Sequence, residues 1–303
     1  MMRAILNKII VMLKRLLFRF WNMIFRFLSL MYKNKKSAIG FSVLVFFVLI
    51  AFIGPYLFKY DGLTSGTLRF VAPSSEHWFG TDYLGRDVLQ MLIDGTKGIL
   101  LIAFFTGIFT VAIGVIIGIS SALIGGAFDK VIQLITNLLL TIPSFPILMI
   151  LATIITIRDP LTFSIVLSVW SWPALSRAVR AQVLSLKESD FIQICQVMNM
   201  KKSHIIFAEL LPNMAAYILI NFIMIMRGAI TGSVGIMMLG VAALEPSNWG
   251  AMIFDIMNQG AFYVSTAYAY VLSPIFTIIL FQFGIILLSN GLDETFNPRL
   301  QVN

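Results

Sequence analysis

This chain has little charge and almost none of the residue chemistry that soluble enzymes rely on. Of its 303 residues, 12% are Asp, Glu, Lys or Arg and 59% are hydrophobic, so composition alone makes it an integral membrane protein. Its single cysteine, Cys195, excludes an intrachain disulfide and any cysteine-based zinc site. The two histidines, His77 and His204, fall in different loops far apart, which argues against a metal cluster. No G-x-x-x-x-G-K-S/T phosphate loop occurs, so ATP is not bound by that device. H-E-x-x-H, G-x-S-x-G and sustained heptads are missing too. Acids are absent from residues 1–36, which hold nine Lys/Arg, so this one segment exceeds the whole net charge of +8. That distribution argues against a nucleic-acid surface.

What is present is a series of apolar runs. Residues 1–36 read as a basic amphipathic helix, with Lys8, Arg15, Arg19, Arg26 and Lys33 in a narrow arc at helical period. Such a helix lies in the membrane surface with its cations at anionic lipid head groups. A signal peptide is the rival, but charges run through its apolar part and no small-residue cleavage site follows. A docking arm for a partner subunit is not separable from the interfacial helix.

Six spans follow, judged against the roughly 20 apolar residues that cross a bilayer. They are 37–58, a span within 98–128, 131–157, 161–176, 214–236 and 267–289. Pro143 and Pro146 are expected to kink the third, and Trp170 and Trp172 to anchor the fourth at an interface. With the N-terminus inside, sixteen of the 22 Lys/Arg lie on the inner side and five outside, which makes both termini and the 177–213 connection cytoplasmic. The organisation is then a basic helix (1–36), a first span with an outer loop (37–97), a core (98–290) and a tail (291–303).

The 177–213 connection contains a polar interruption, SDFIQICQVMNMKKSHIIFAELLPN. Ser189 or Asp190 can cap a first short helix, whose Phe191, Ile194, Cys195 and Met198 make one apolar stripe. Ser203 can cap a second, which Pro212 is expected to end. Asn199, Lys201 and Lys202 make the turn between them. A helix so placed has nothing of its own to bury against, so its stripe is expected to dock in a groove of another protein. The stretch resembles the "EAA" coupling loop of ABC importer permeases. Gln193, Ile194 and Cys195 take the E-A-A place and Asn199 the glycine place, while Leu211 and Pro212 match the closing L-P. The resemblance makes Asp190, Phe191, Gln193, Ile194, Cys195, Met198, Asn199, Lys201, Leu211 and Pro212 the ATPase-coupling residues. Gln193 removes a charge that the family uses in that contact.

The outer loop contains HWFGTDYLGRDV. Phe79, Gly80, Thr81, Asp82, Gly85, Arg86 and Asp87 resemble the F-G-T-D-x-x-G-R-D signature of C-type permeases in the oligopeptide/dipeptide/nickel branch of ABC importers. Gly80 and Gly85 permit turns, and Asp82, Arg86 and Asp87 are expected to form an exposed clasp. Acid–base catalysis by the two aspartates is the sharper alternative, but no nucleophile or metal-ligand set accompanies them. The stretch with Leu239, Gly240, Pro246, Trp249 and Gly250 also resembles that branch, as does the tail with Asn290, Glu294 and Asn297. Those last three replace charged family residues, so tail salt bridges are expected to be missing.

Two further features stand apart from these motifs. Gly107, Gly114, Gly118 and Gly125 share one helical face, which suits close packing within the chain or pairing with a second copy. Arg227 is the lone charge deep in a span and a candidate for the translocation pathway. It can touch a substrate carboxylate, pair with carbonyls, or mark a break in the span.

The resemblance implies an all-α polytopic protein of the type I ABC importer permease fold, with no catalytic residue or cofactor of its own. It implies a homologous second permease, two cytoplasmic ATPase subunits that bind ATP and Mg, and an extracellular substrate-binding protein. Peptides lead as cargo, with oligosaccharides or nickel as alternatives. A membrane enzyme would need a polar constellation at membrane depth, and a stand-alone channel or scaffold would not need the docking stripe.

Overall fold

The computed structural model describes residues 29, 32, 34–242 and 245–296, so the arc of cations expected in 1–33 and the tail residues Asn297 to Asn303 lie outside the described residues. Among the described residues the fold is all-α, with one isolated antiparallel bridge between Thr81 and Asp87. An uncharged run after Lys36 forms α1 (Lys35–Leu57). The long α2 (Val88–Ile124) is started by Asp87, whose side chain accepts from the Gln90 amide, and ends at Gly125 with φ 68°. At 37 residues it is roughly 55 Å long.

Next come α3 (Gly126–Thr141) and α4 (Ser144–Ile154), which meet at an angle of 90°. Proline explains the break. Pro143 lacks an amide donor and holds the residue before it, Ile142, in extended backbone at φ −81°, ψ 129°. The expected kink is thus a full interruption. Helix α5 (Pro160–Lys187) follows, capped by Asp159 with Pro160 in its first turn. It extends eleven residues beyond the expected fourth span, so Trp170 and Trp172 sit mid-helix rather than at an end. It also absorbs Arg177 and Arg180 from the connection. Arg180 Nε donates to Asp129 Oδ1 of α3 at 2.6 Å.

The connecting helix α6 (Asp190–Val197) precedes α7 (Lys202–His204), which runs through a π-helical turn (Ile205–Leu210) into α8 (Leu211–Met238). The last elements are the short α9 (Trp249–Asn258) and α10 (Tyr268–Phe296). Four stretches are long and apolar enough to cross a bilayer: α1, α2, the α7–α8 run and α10 with its preceding turn. The bent α3–α4 pair makes a fifth if it counts as one span. Helix α5 has the length, but its serines, Pro173 and two arginines dilute its apolar character. The chain is a polytopic membrane protein.

Contacts divide the chain into two units. In the smaller, formed by described parts of 1–44 and 283–303, Gly40 and Gly291 let the start of α1 and the end of α10 approach closely. There Glu294 accepts from Lys36 Nζ and, at 2.7 Å, from Asn34 Nδ2. The substitution at 294 therefore supplies an ion pair where one was expected to be missing.

The larger unit, 45–282, is organised on a parallel pairing of α2 with α5. A Cβ on Gly114 would lie 2.9 Å from Leu175, and one on Gly118 would lie 2.7 Å from the Ser176 carbonyl. On Gly107 it would meet Phe222 of α8 at 2.5 Å. These glycines are therefore occupied by packing within the chain, which removes pairing with a second copy through this face. Gly125 differs, with nothing within 4 Å, and serves the turn.

Because the obstacle at Gly118 is backbone, Gly118→Val is expected to cost about 1–3 kcal/mol through overpacking. Gly232→Ala is expected to be tolerated, since its Cβ would meet Leu167 at an ordinary 3.5 Å. Thermal unfolding of the two solubilised variants against wild type checks the contrast.

Candidate functional site: the connecting loop, the outer clasp and a polar cavity

Helix α6 is short, and its stability comes from its C-terminal end and one face. Ser189 stands at its N-cap but does not cap it by side chain; its hydroxyl donates to the Leu186 carbonyl instead. At the other end Asn199 adopts φ 52°, the left-handed conformation that asparagine tolerates. Its amide donates to the Gln196 carbonyl at 2.9 Å, and the Met200 amide to the Cys195 carbonyl at 3.1 Å. This is a Schellman ending, completed by Met200 packing on the cluster that contains Cys195.

The face of α6 is not free as a whole. Ile192 and Cys195 are buried with Ile119 and Ala122 of α2, Val179 and Val183 of α5, Leu210 of the π-turn and Met214 of α8. The expectation that this helix has nothing of its own to bury against is therefore corrected. Cys195 belongs to the inner face, while Phe191, Ile194 and Met198 are exposed, joined by Val197 at 87%. Asp190, Gln193 and Lys201 are exposed as well. The Gln193 side chain donates to the Glu188 carbonyl at 3.0 Å, a contact within the loop.

The second half also departs from expectation. Lys201, not Ser203, holds the N-cap position of α7. Pro212 does not end the segment but lies in the first turn of α8, with Leu211 half-buried against the core. A proline inside a helix removes one amide and crowds the carbonyl four residues back. The π-helical turn just before it, with the Leu211 amide reaching the Ile206 carbonyl, widens the helix at that point. The loop is thereby joined rigidly to the long α8.

At the other end of the chain's polar inventory, the 59–87 loop closes on a buried charge. Asp82 is fully buried and Arg86 nearly so, which corrects the exposed clasp to an interior one. Asp82 Oδ2 accepts from Arg86 Nε at 2.7 Å, and its Oδ1 accepts from the amides of Leu84 and Arg86 at 2.9 and 2.8 Å. Burial works against the Arg86 charge, but Asp82, with smaller contributions from Tyr60 and Tyr83, outweighs it and raises the guanidinium pKa. Asp87 does not join them. It caps α2 and lies 2.8 Å from His77 Nδ1.

Thr81 Oγ1 accepts from the Val71 amide at 2.9 Å and donates to the Leu68 carbonyl. Gly80 and Gly85 take φ 73° and 80° beneath the carbonyls of Val71 and Ser65, while Phe79 is exposed. The partner that the sequence motif could not reveal is Asp255 of α9, 3.7 Å from Arg86. Burial pushes the Asp255 carboxyl above its ordinary value, with Arg86 pulling the other way. The arrangement thus ties the outer loop to α9 through Arg86.

Arg227 lies within the unbroken α8, which removes a break in the span as its explanation. Its Nε donates to Gln282 Oε1 of α10 at 3.3 Å, and Gln282 Nε2 donates to Thr231 Oγ1 at 2.9 Å. Arg227 also lines a cavity of about 930 Å³ bounded by α3, α4, α5 and α8. The α3–α4 break, Thr141 to Ser144, lies on its wall, as do Trp170, Ser171 and Thr231.

The profile of the binding-protein-dependent transport system inner membrane component matches residues 114–302. The chain belongs to that family. This permease is 30% identical to the dipeptide transport system permease protein DppC of Alkalihalophilus pseudofirmus, over 89% of its own length and 88% of that protein's. It is 28% identical to the oligopeptide transport system permease protein OppC of Bacillus subtilis, covering 88% and 87% of the two. The glutathione transport system permease protein GsiD of Pectobacterium atrosepticum is 30% identical, with 93% and 91% covered. The connecting loop lies within the matched residues, and the outer-loop signature at 79–87 precedes them.

Sequence reasoning missed Ile192, Val197, Asp255 and Gln282. A second apolar pair at i, i+3, Ile192 with Cys195, was a signal for the inner face of α6. Asp255 and Gln282 had none, because their partners lie 169 and 55 residues away.

In this permease Asp82→Asn leaves a buried guanidinium without its main carboxylate and is expected to cost on the order of 3 kcal/mol. Asp255→Asn should cost less, because burial already disfavours that charge. A carboxyl raised in the fold is protonated more readily there than in the unfolded chain, so its contribution is present below the ordinary carboxylate value and fades as pH rises through the raised one. Thermal stability of Asp255→Asn against wild type between pH 4 and 7 should therefore show a smaller fall with rising pH in the variant.

Proposed function

We propose that this permease is one of the two membrane subunits of an ATP-driven, binding-protein-dependent importer of peptides. Support for the cargo comes from its relatives, named for dipeptides, oligopeptides and glutathione. The observation that carries the coupling role is the exposed outer face of α6, Phe191, Ile194, Val197 and Met198, held on a buried inner face. A helix so anchored presents apolar side chains to a groove on a partner. In this reading α5 also crosses the bilayer, as the fourth of six spans, both termini and α6 face the cytoplasm, and the 59–87 loop faces the binding protein. The second permease, two ATPases carrying ATP and Mg, and the binding protein are separate chains, and this subunit catalyses no reaction.

Closure of the ATPases on ATP would displace α6. Its inner face shares one cluster with α2, α5 and α8, so these helices would move with it as a packed body. Such a body switches between two arrangements rather than deforming continuously, which opens the pathway alternately to each side.

The test is a pull-down from mild detergent. ATPase subunits are expected to co-purify with wild type and to be lost, by tenfold or more, from a Phe191→Asp, Met198→Asp double variant that still reaches the membrane. Val197→Asp should weaken the complex without harming the fold, whereas Ile192→Asp should lower the amount of folded permease. A wild type that retains its membrane partner but never an ATPase would overturn the importer reading.

A further inference from the structure

Two features of the larger unit that have no structural need for one another meet at the same cavity. The first is a guanidinium inside a membrane-spanning helix. Among the described residues no carboxylate lies within ion-pairing distance of Arg227, since the five ion pairs formed there leave it out. A charge at membrane depth faces a water-filled space or an interior partner. The second is the α3–α4 break, whose irregular backbone also persists at membrane depth only where it is buried or lines an aqueous cavity. Both lie on the walls of the 930 Å³ space, in a size range suited to a small ligand.

The lining between them suits a polar cargo. Thr141, Ser144, Ser171 and Thr231 supply hydroxyls, and Trp170 and Phe145 supply aromatic faces. Gly228 and Gly232 keep the α8 wall low, with nothing within 4 Å of the first and only Leu167 at 3.5 Å from the second. Gln282 holds the guanidinium through Nε, and among the described residues no hydrogen bond engages the fork of its two terminal nitrogens. An amide fixes the side chain without neutralising it. Such a fork matches a carboxylate in bidentate fashion.

The geometry points to Arg227 as a recognition site for a cargo carboxylate in the translocation cavity, with Gln282 as its positioning residue. This rests on the importer reading and narrows its cargo to molecules with a free carboxylate, such as a peptide's C-terminus, rather than neutral sugars or metal ions.

The test uses the complete importer in proteoliposomes with its binding protein and ATP. Uptake of a short free-acid peptide is compared for wild type, Arg227→Gln and Arg227→Lys, with permease content of each preparation measured. Loss of tenfold or more in Arg227→Gln, with Arg227→Lys intermediate between glutamine and wild type, supports the proposal, because the charge restores part of what a neutral donor cannot while the bidentate fork is lost. Uptake by Arg227→Gln within twofold of wild type overturns it, and so does a lysine variant no better than glutamine. The C-terminal amide of the same peptide gives a second reading: equal loss of amide and acid uptake in Arg227→Gln also overturns carboxylate recognition. A wild type that moves no peptide while its ATPase is active would instead strike the importer reading, so the two failures are distinguishable.

Discussion

A backbone in hydrocarbon must satisfy its own amides and carbonyls, because no water is there to do it. That constraint explains why the apolar runs of this chain are helices, and it gives meaning to the two places where the helical ladder is altered. One is the π-helical turn Ile205–Leu210, where an extra residue per turn makes room for Pro212 without opening the helix. The other is the 90° interruption between Thr141 and Ser144. The first preserves continuity between the connecting loop and a long helix. The second exposes irregular backbone, and it does so on the wall of a cavity that also holds serine, threonine and arginine.

Continuity is what links the two sites. The inner face of α6 meets Met214 near the start of α8, and the same helix carries Arg227 roughly 20 Å further along. Helix α5 passes both regions, lining the cavity at Trp170 and Ser171 and meeting the inner face of α6 at Val179 and Val183. The close glycine contacts leave little slack between α2 and α5, so a displacement at the loop has a packed route to the cavity. This is spatial continuity, and coupling through it is a matter for measurement.

Much of the fold and part of the site are legible in the residues alone. Composition identifies the membrane class, and proline placement locates the break. The Asn199 turn is readable because a left-handed residue has few suitable identities. What escapes is relational. Helix α6 carries apolar residues on two faces, so a single stripe beginning at Phe191 hides the equally good pair Ile192 and Cys195. Only the packing of α2, α5 and α8 decides which face is inside. Pro212 reads as a terminator because a π-turn has no sequence signature. Arg86 reads as exposed because its second partner, Asp255, is distant in the chain. Trp170 reads as an interface anchor because the span is cut short at the first arginine, whereas Arg177 and Arg180 are held on α5 by Asn137 and Asp129.

The pairing of charges bears on function through its distribution. Acids are few, and those near buried or membrane-edge cations are engaged: Asp82 and Asp255 with Arg86, Asp129 with Arg180, Glu294 with Lys36. Asp82 and Arg86 pair within the outer loop, the other pairs each tie one element to another, and each has neutralised its cation. Arg227, unlike the cations of these ion pairs, has an amide partner, Gln282. A carboxylate at 282 would stabilise the guanidinium in the absence of any ligand, and an arriving anion would have to compete with it. An amide orients the group and leaves its charge uncompensated, which is destabilising for the empty subunit and favourable for anion capture. Arg177 also has an amide partner, Asn137, but it does not line the cavity; an uncompensated guanidinium on the cavity wall is the physical ground for the proposal made for Arg227.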